Sequence, residues 1–142
     1  MYKRQDKILS AAFSDASIAS ADVEAQRKGL KKAMARQELM GIQKFELPKG
    51  WNEHINKKNA ELSLTAAAKF NLDKAVSSIS YPFLVMTGDH DPNLTSSKDI
   101  VNRSASGNLK ILDDVGHGSV LQRPDLVLEN FLSWHNLEIL ES

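Results

Sequence analysis

The feature that most constrains the fold is the run Phe83-Leu-Val-Met-Thr87, which shows no apolar-polar alternation and is ended at once by Gly88. A strand with one wet face alternates, whereas an unbroken apolar run suits a strand covered on both faces, as in a parallel sheet. A polar, helix-compatible stretch from 96 to 106 then leads through Gly107-Asn108 into a second short strand, Leu109–Asp113. After the turn Gly116-His117-Gly118, a helix begins at Pro124 and sets Leu126, Val127, Phe131 and Trp134 toward one face. Strand, helix, strand, helix predicts an α/β fold with a right-handed parallel crossover. Ligands of such sheets lie beyond the carboxyl ends of the strands, and Asp91 and His117 stand just past those ends.

Residues 1–80 follow helical spacing instead. Leu9, Ala12, Phe13 and Ala16 share one face of a first predicted helix, and Val23, Leu30, Ala33, Met34 and Gln37 one face of a second that Gly41 stops. Another helical stretch runs through Leu62, Ala66, Ala67 and Phe70. The basic residues Arg27, Lys28, Lys31, Lys32 and Arg36 are interleaved with Asp22, Glu24 and Glu38, without aromatics, so they read as a solvated helix face.

Charge and composition narrow the function classes. Eighteen Lys and Arg balance eighteen Asp and Glu, so no net field attracts nucleic acid or an anionic membrane surface, and neither is an expected partner. No run approaches the ~20 apolar residues that span a bilayer. Cysteine is absent, which excludes disulfides and thiol catalysis and fits a reducing, cytoplasmic compartment.

The segments Pro82-Phe-Leu-Val-Met-Thr-Gly-Asp-His-Asp-Pro92 and Leu109-Lys-Ile-Leu-Asp-Asp-Val-Gly-His-Gly-Ser-Val-Leu-Gln-Arg-Pro124 resemble the last two strands of the α/β-hydrolase fold. There one strand ends in Gly-x-x-Asp, the acid of a catalytic triad, and the next in a Gly-His pair, the base. The resemblance implies Asp91 as acid and His117 as base, with Ser119 lining the site as a weak substrate-binding candidate. It covers the last third of the chain closely; residues 1–80 resemble more loosely a helical cap and connecting region ahead of an 81–142 core segment. A hydroxyl nucleophile needs an imidazole to take its proton, and the imidazole needs a carboxylate to fix its tautomer; Asp91 and His117 fit those two roles. Asp89 is the rival for the acid role, at the wrong spacing from Gly88 for the family, and reads as a turn residue. Asp89, His90 and Asp91 with His117 also make an oxygen and nitrogen set for a metal, a weak signal at this spacing, and no cofactor or metal is assigned.

The family's nucleophile sits in Gly-x-Ser-x-Gly. The seven glycines, at 29, 41, 50, 88, 107, 116 and 118, nowhere bracket a serine in that way. Two functions therefore stay open. The first is a component or fragment of a serine-type, esterase-like acyl hydrolase acting on a small ester-like substrate, its nucleophile carried upstream of Met1 or on a complementary N-terminal segment. The second is a non-catalytic oligomeric or interaction module that retains the fold remnant. In the parent fold, a strand absent from this reading would flank Phe83–Thr87 on its second side, so that edge is expected to be unpaired and to drive homodimerisation.

Overall fold

A computed structural model of the chain describes residues 7–18, 22–42, 46–47, 49–50, 52–53, 56–67 and 72–136. In chain order the elements are β1 (Ala11–Ser14), α1 (Val23–Leu39), α2 (Lys57–Ala67), α3 (Asp73–Ser77), β2 (Phe83–Gly88), α4 (Leu94–Asn102), β3 (Gly107–Leu112), α5 (Ser119–Gln122) and α6 (Pro124–Trp134). Phe70 lies outside the described residues.

The sheet is parallel throughout, in the order β1-β2-β3. Every residue of β2 is buried, as an unalternating run requires. Phe83 and Val85 point into a core with Val76, Ile79, Tyr81 and Ile100, against which Phe13 and Leu109 pack. Burying a side chain of this size stabilises the fold by about 1.5–3 kcal/mol. On the opposite face, Met86 lines a shallow apolar groove with Ala12, Val127 and Phe131.

The first segment departs from its helical spacing. Ala11 and Phe13 are half-buried while Ala12 and Ser14 are exposed, an alternation of period two, and β1 pairs Ala11 with Phe83 through Ser14 with Met86. Ala11 N–H donates to Pro82 O at 3.1 Å and Asp15 N–H to Met86 O at 2.8 Å. Alanine's helix preference amounts to tenths of a kcal/mol per residue, whereas each buried amide left unpaired on β2 costs about 1–3 kcal/mol; tertiary pairing therefore decides the segment. The expectation of an unpaired Phe83–Thr87 edge is corrected by the same observation, since β2 is flanked on both sides, and dimerisation through that edge loses its ground. The sheet thus takes strands from both sides of residue 81, and its outer strands are β1 and β3.

Helix α1 behaves as its sequence indicates. Asp22 caps it by accepting from Ala25 N–H at 2.9 Å, and Gly41 follows with φ +71°. Mid-helix Gly29 would cost about 1 kcal/mol relative to alanine in isolation, and packing accounts for it. A Cβ on Gly29 would lie 2.2 Å from the carbonyl oxygen of His90, and one on Gly116 would lie 2.7 Å from Leu30 Cα. The two glycines let α1 lie directly on the loops after β2 and β3.

Candidate active site

Both of those loops start where a parallel strand ends. After Gly88, Asp91 N–H donates to Gly88 O at 3.1 Å and Leu94 N–H to Asp91 O at 3.0 Å, a turn that aims the Asp91 side chain inward, where it is buried. Its Oδ1 accepts from Asn93 N–H at 2.9 Å and its Oδ2 from the Thr87 hydroxyl at 3.2 Å. His117 Nδ1 lies 3.3 Å from the same Oδ2. An ionised carboxylate only accepts, so Nδ1 carries the hydrogen and Nε2 keeps the basic lone pair. Burial works to raise the Asp91 pKa, but the hydrogen bonds from His117 and Asn93 and the imidazolium charge outweigh it, leaving Asp91 below the usual carboxylate range. The Asp91 hydrogen bond, opposed by burial and aided by the Asp91 charge, raises His117 above 6.5.

The His117 loop is braced from behind. Gln122 accepts from Gly116 N–H at 3.1 Å and donates to His117 O at 2.9 Å, so one carboxamide bridges the turn from α5. Sequence reading missed Gln122, whose signal, one polar side chain five residues after a histidine, is too common to stand out.

Asp15 was missed as well, and it is the most heavily bonded side chain here. It follows β1 with φ +52°, a left-handed conformation that aspartate tolerates at modest cost. Its Oδ2 accepts from the Ser14 hydroxyl at 2.7 Å, Ser119 N–H at 2.8 Å, the Ser119 hydroxyl at 2.9 Å and Gly118 N–H at 3.2 Å. Ser119 is fully buried in these contacts, so its hydroxyl ties the His117 loop to β1 and does not line the neighbouring cavity. Helical spacing hid Asp15, because its role depends on the end of a strand.

A cavity of about 210 Å³ opens beside the one-third-exposed His117 ring, walled by Leu30, Met34, Leu47 and Leu121, with Gln37, Gly118 and Gln122 completing it. The Gln37 Nε2 donates to Asp114 O at 2.8 Å and Gln122 serves the turn, so the cavity offers mainly apolar surface. Leu30, Met34 and Gln37 come from the α1 face that the helical spacing had grouped.

Asp89 accepts from Val115 N–H at 3.2 Å, a turn contact. His90 stays apart from His117 and sets Nε2 3.5 Å from Asp114 Oδ1 and 4.0 Å from Asp89 Oδ1. Oxygen and nitrogen atoms do gather here, then, but from Asp89, His90 and Asp114, not in the combination with Asp91 and His117 that the spacing offered. The Arg36 guanidinium already bonds Asp114 and, together with its charge, holds that carboxyl below the usual range. A divalent ion would have to displace it.

No protein-family model matches the chain, and no curated protein is similar to it. Solved structures are. The enol-lactonase from Burkholderia xenovorans superposes with a TM-score of 0.66 at 17% identity, covering 94% of this chain and 58% of its own. A thermophilic esterase from Thermogutta terrifontis gives 0.60 at 16%, over 94% and 58%, and an alpha/beta hydrolase enzyme from a Medee basin deep-sea metagenome library gives 0.60 at 15%, over 99% and 60%. The chain therefore spans less than two thirds of these structures.

Proposed function

We propose that this chain, whose fold is that of the C-terminal portion of an α/β-hydrolase, supplies the acid and base of a serine-type acyl hydrolase, with the attacking serine supplied by a polypeptide segment outside this sequence. The observation that carries the reading is the buried Asp91 carboxylate on Nδ1 of a partly exposed His117 beside an apolar cavity. In the reaction, His117 Nε2 takes the proton of the serine hydroxyl as its oxygen attacks the ester carbonyl. The imidazolium, held by Asp91, then protonates the departing alcohol; water repeats the sequence on the acyl-enzyme and frees the acid. The apolar lining favours a small, uncharged ester group. A complementary segment would extend the sheet at the outer edge of β1, and the lack of cysteine suits a cytoplasmic setting.

The test is hydrolysis of p-nitrophenyl butyrate by the chain joined to, or mixed with, a segment carrying Gly-x-Ser-x-Gly. Turnover and fluorophosphonate labelling of that serine are expected, with His117→Ala and Asp91→Asn each lowering kcat by roughly 10³–10⁴-fold. Undiminished turnover in His117→Ala, or labelling of Ser119 in the chain alone, would overturn the assignment. A folded complex without turnover favours the interaction-module reading.

A further inference from the structure

The Asp15 carboxyl group is unevenly served. Four donors, from Ser14, Gly118 and Ser119, converge on Oδ2, whereas Oδ1 is buried with no hydrogen-bond partner among the described residues. A buried carboxylate oxygen without a donor is costly. Asp15 and Asp91 flank the same loops: Asn93 donates its N–H to Asp91 Oδ1 at 2.9 Å and its side-chain amide to Asp15 O at 3.1 Å, and Asp91 holds His117 while Asp15 holds Gly118 and Ser119. Two neighbouring carboxylates cannot both stay ionised at low cost. One proton resolves both problems.

We infer that Asp15 and Asp91 form a carboxyl–carboxylate pair holding a single proton, carried on Asp15 Oδ1 and donated to Asp91. Asp15 is then a positioning residue: its Oδ2 clamps Gly118 and Ser119, and so the His117 loop, to the end of β1. Its Oδ1–H adds a donor to Asp91 and leaves the negative charge of the pair on the carboxylate that meets the imidazole. The ionisable groups bearing on Asp15 are Asp91 from the loop after β2 and His117 from the loop after β3; its other contacts are hydroxyls and amides. Burial, further aided by the Asp91 charge and only partly offset by the bonds from Ser14 and Ser119, pushes Asp15 above the usual carboxylate range in agreement with the geometry.

This inference rests on reading Asp91 and His117 as a working pair, but its test follows protons on the chain itself, so it can fail while the hydrolase reading survives, and the reverse. In carbon-13 NMR of the full chain, the Asp15 carboxyl carbon should keep the shift of a protonated acid from about pH 5 to 7, where an ordinary aspartate is ionised. Asp15→Asn places an amide N–H₂ where the acid proton stood. It should leave the titration midpoint of His117 within about 0.3 pH unit of the parent, whereas Asp91→Asn should lower it by about one unit or more. Asp15→Ala, which lacks both the clamp and the donor, should not be rescued to the midpoint that Asp15→Asn keeps. An Asp15 carbon in the ionised form across that range overturns the inference without any variant having to fold. So does an Asp15→Asn chain whose His117 midpoint falls as far as that of Asp91→Asn.

Discussion

His117 and Asp91 bind protons differently when folded, and this sets how stability responds to pH. The folded state raises His117 above 6.5, so it holds a proton there that the unfolded chain has released. The stabilisation is fully present below pH 6.5 and is lost as pH rises through the folded value. Asp91 lies below 3.8 when folded, so its contribution is present above that value and is lost as pH falls through the folded pKa. Thermal melts should therefore show the melting temperature falling as pH rises above about 6.5. In His117→Gln that decline should flatten; an unchanged slope would show that the imidazole is not held by Asp91. These two residues were legible in the sequence because each stands in a short motif at a strand end. Asp15, Gln122 and the Arg36–Asp114 ion pair were not, because their partners lie far away in the chain, and nothing local marks them.

Among the elements, β1 distinguishes spacing from pairing most sharply. Phe13 packs edge-on to Phe83, with centroids 5.8 Å apart and an interplanar angle of 71°, and supports the buried core from the strand's inner face. Phe13→Ala should cost about 2–3 kcal/mol, less than a fully buried phenylalanine, as read by urea denaturation. A loss below about 0.5 kcal/mol would contradict the packing of Phe13 on Phe83 that the strand pairing sets. The strand β2 was readable through its unbroken apolar run, β3 through the Gly107-Asn108 lead into a short apolar segment, and the helices α1 and α6 through their helical spacing. Four residues of Ala-Ala-Phe-Ser satisfy both periods, and the open edge of β2 chooses between them.

At the scale of the molecule, β1 presents Ala12 and Ser14 outward beside a groove formed with Met86, Val127 and Phe131. If a complementary segment extends the sheet at β1, its packing must cover that face. Ala12→Lys should weaken recovery of turnover on mixing by roughly tenfold or more, about 1.4 kcal/mol, while leaving the thermal melt of the chain alone unchanged. Equal recovery would place the complementary segment elsewhere. None of the described helices is long and apolar enough to cross a membrane.

What the sequence determined by itself is the doubly buried strand β2, the crossover to β3 and the placement of Asp91 and His117 just past their ends, because those depend on contiguous residues and local turn chemistry. The tertiary structure alone decided that residues 11–14 become a strand, that Gly29 and Gly116 bring α1 down onto both loops, and that Asp15 reaches Gly118 and Ser119. Each of those outcomes is settled by the cost of leaving a buried amide, carboxyl or apolar face without a partner, and the partner that meets it is chosen by the fold rather than by neighbouring residues.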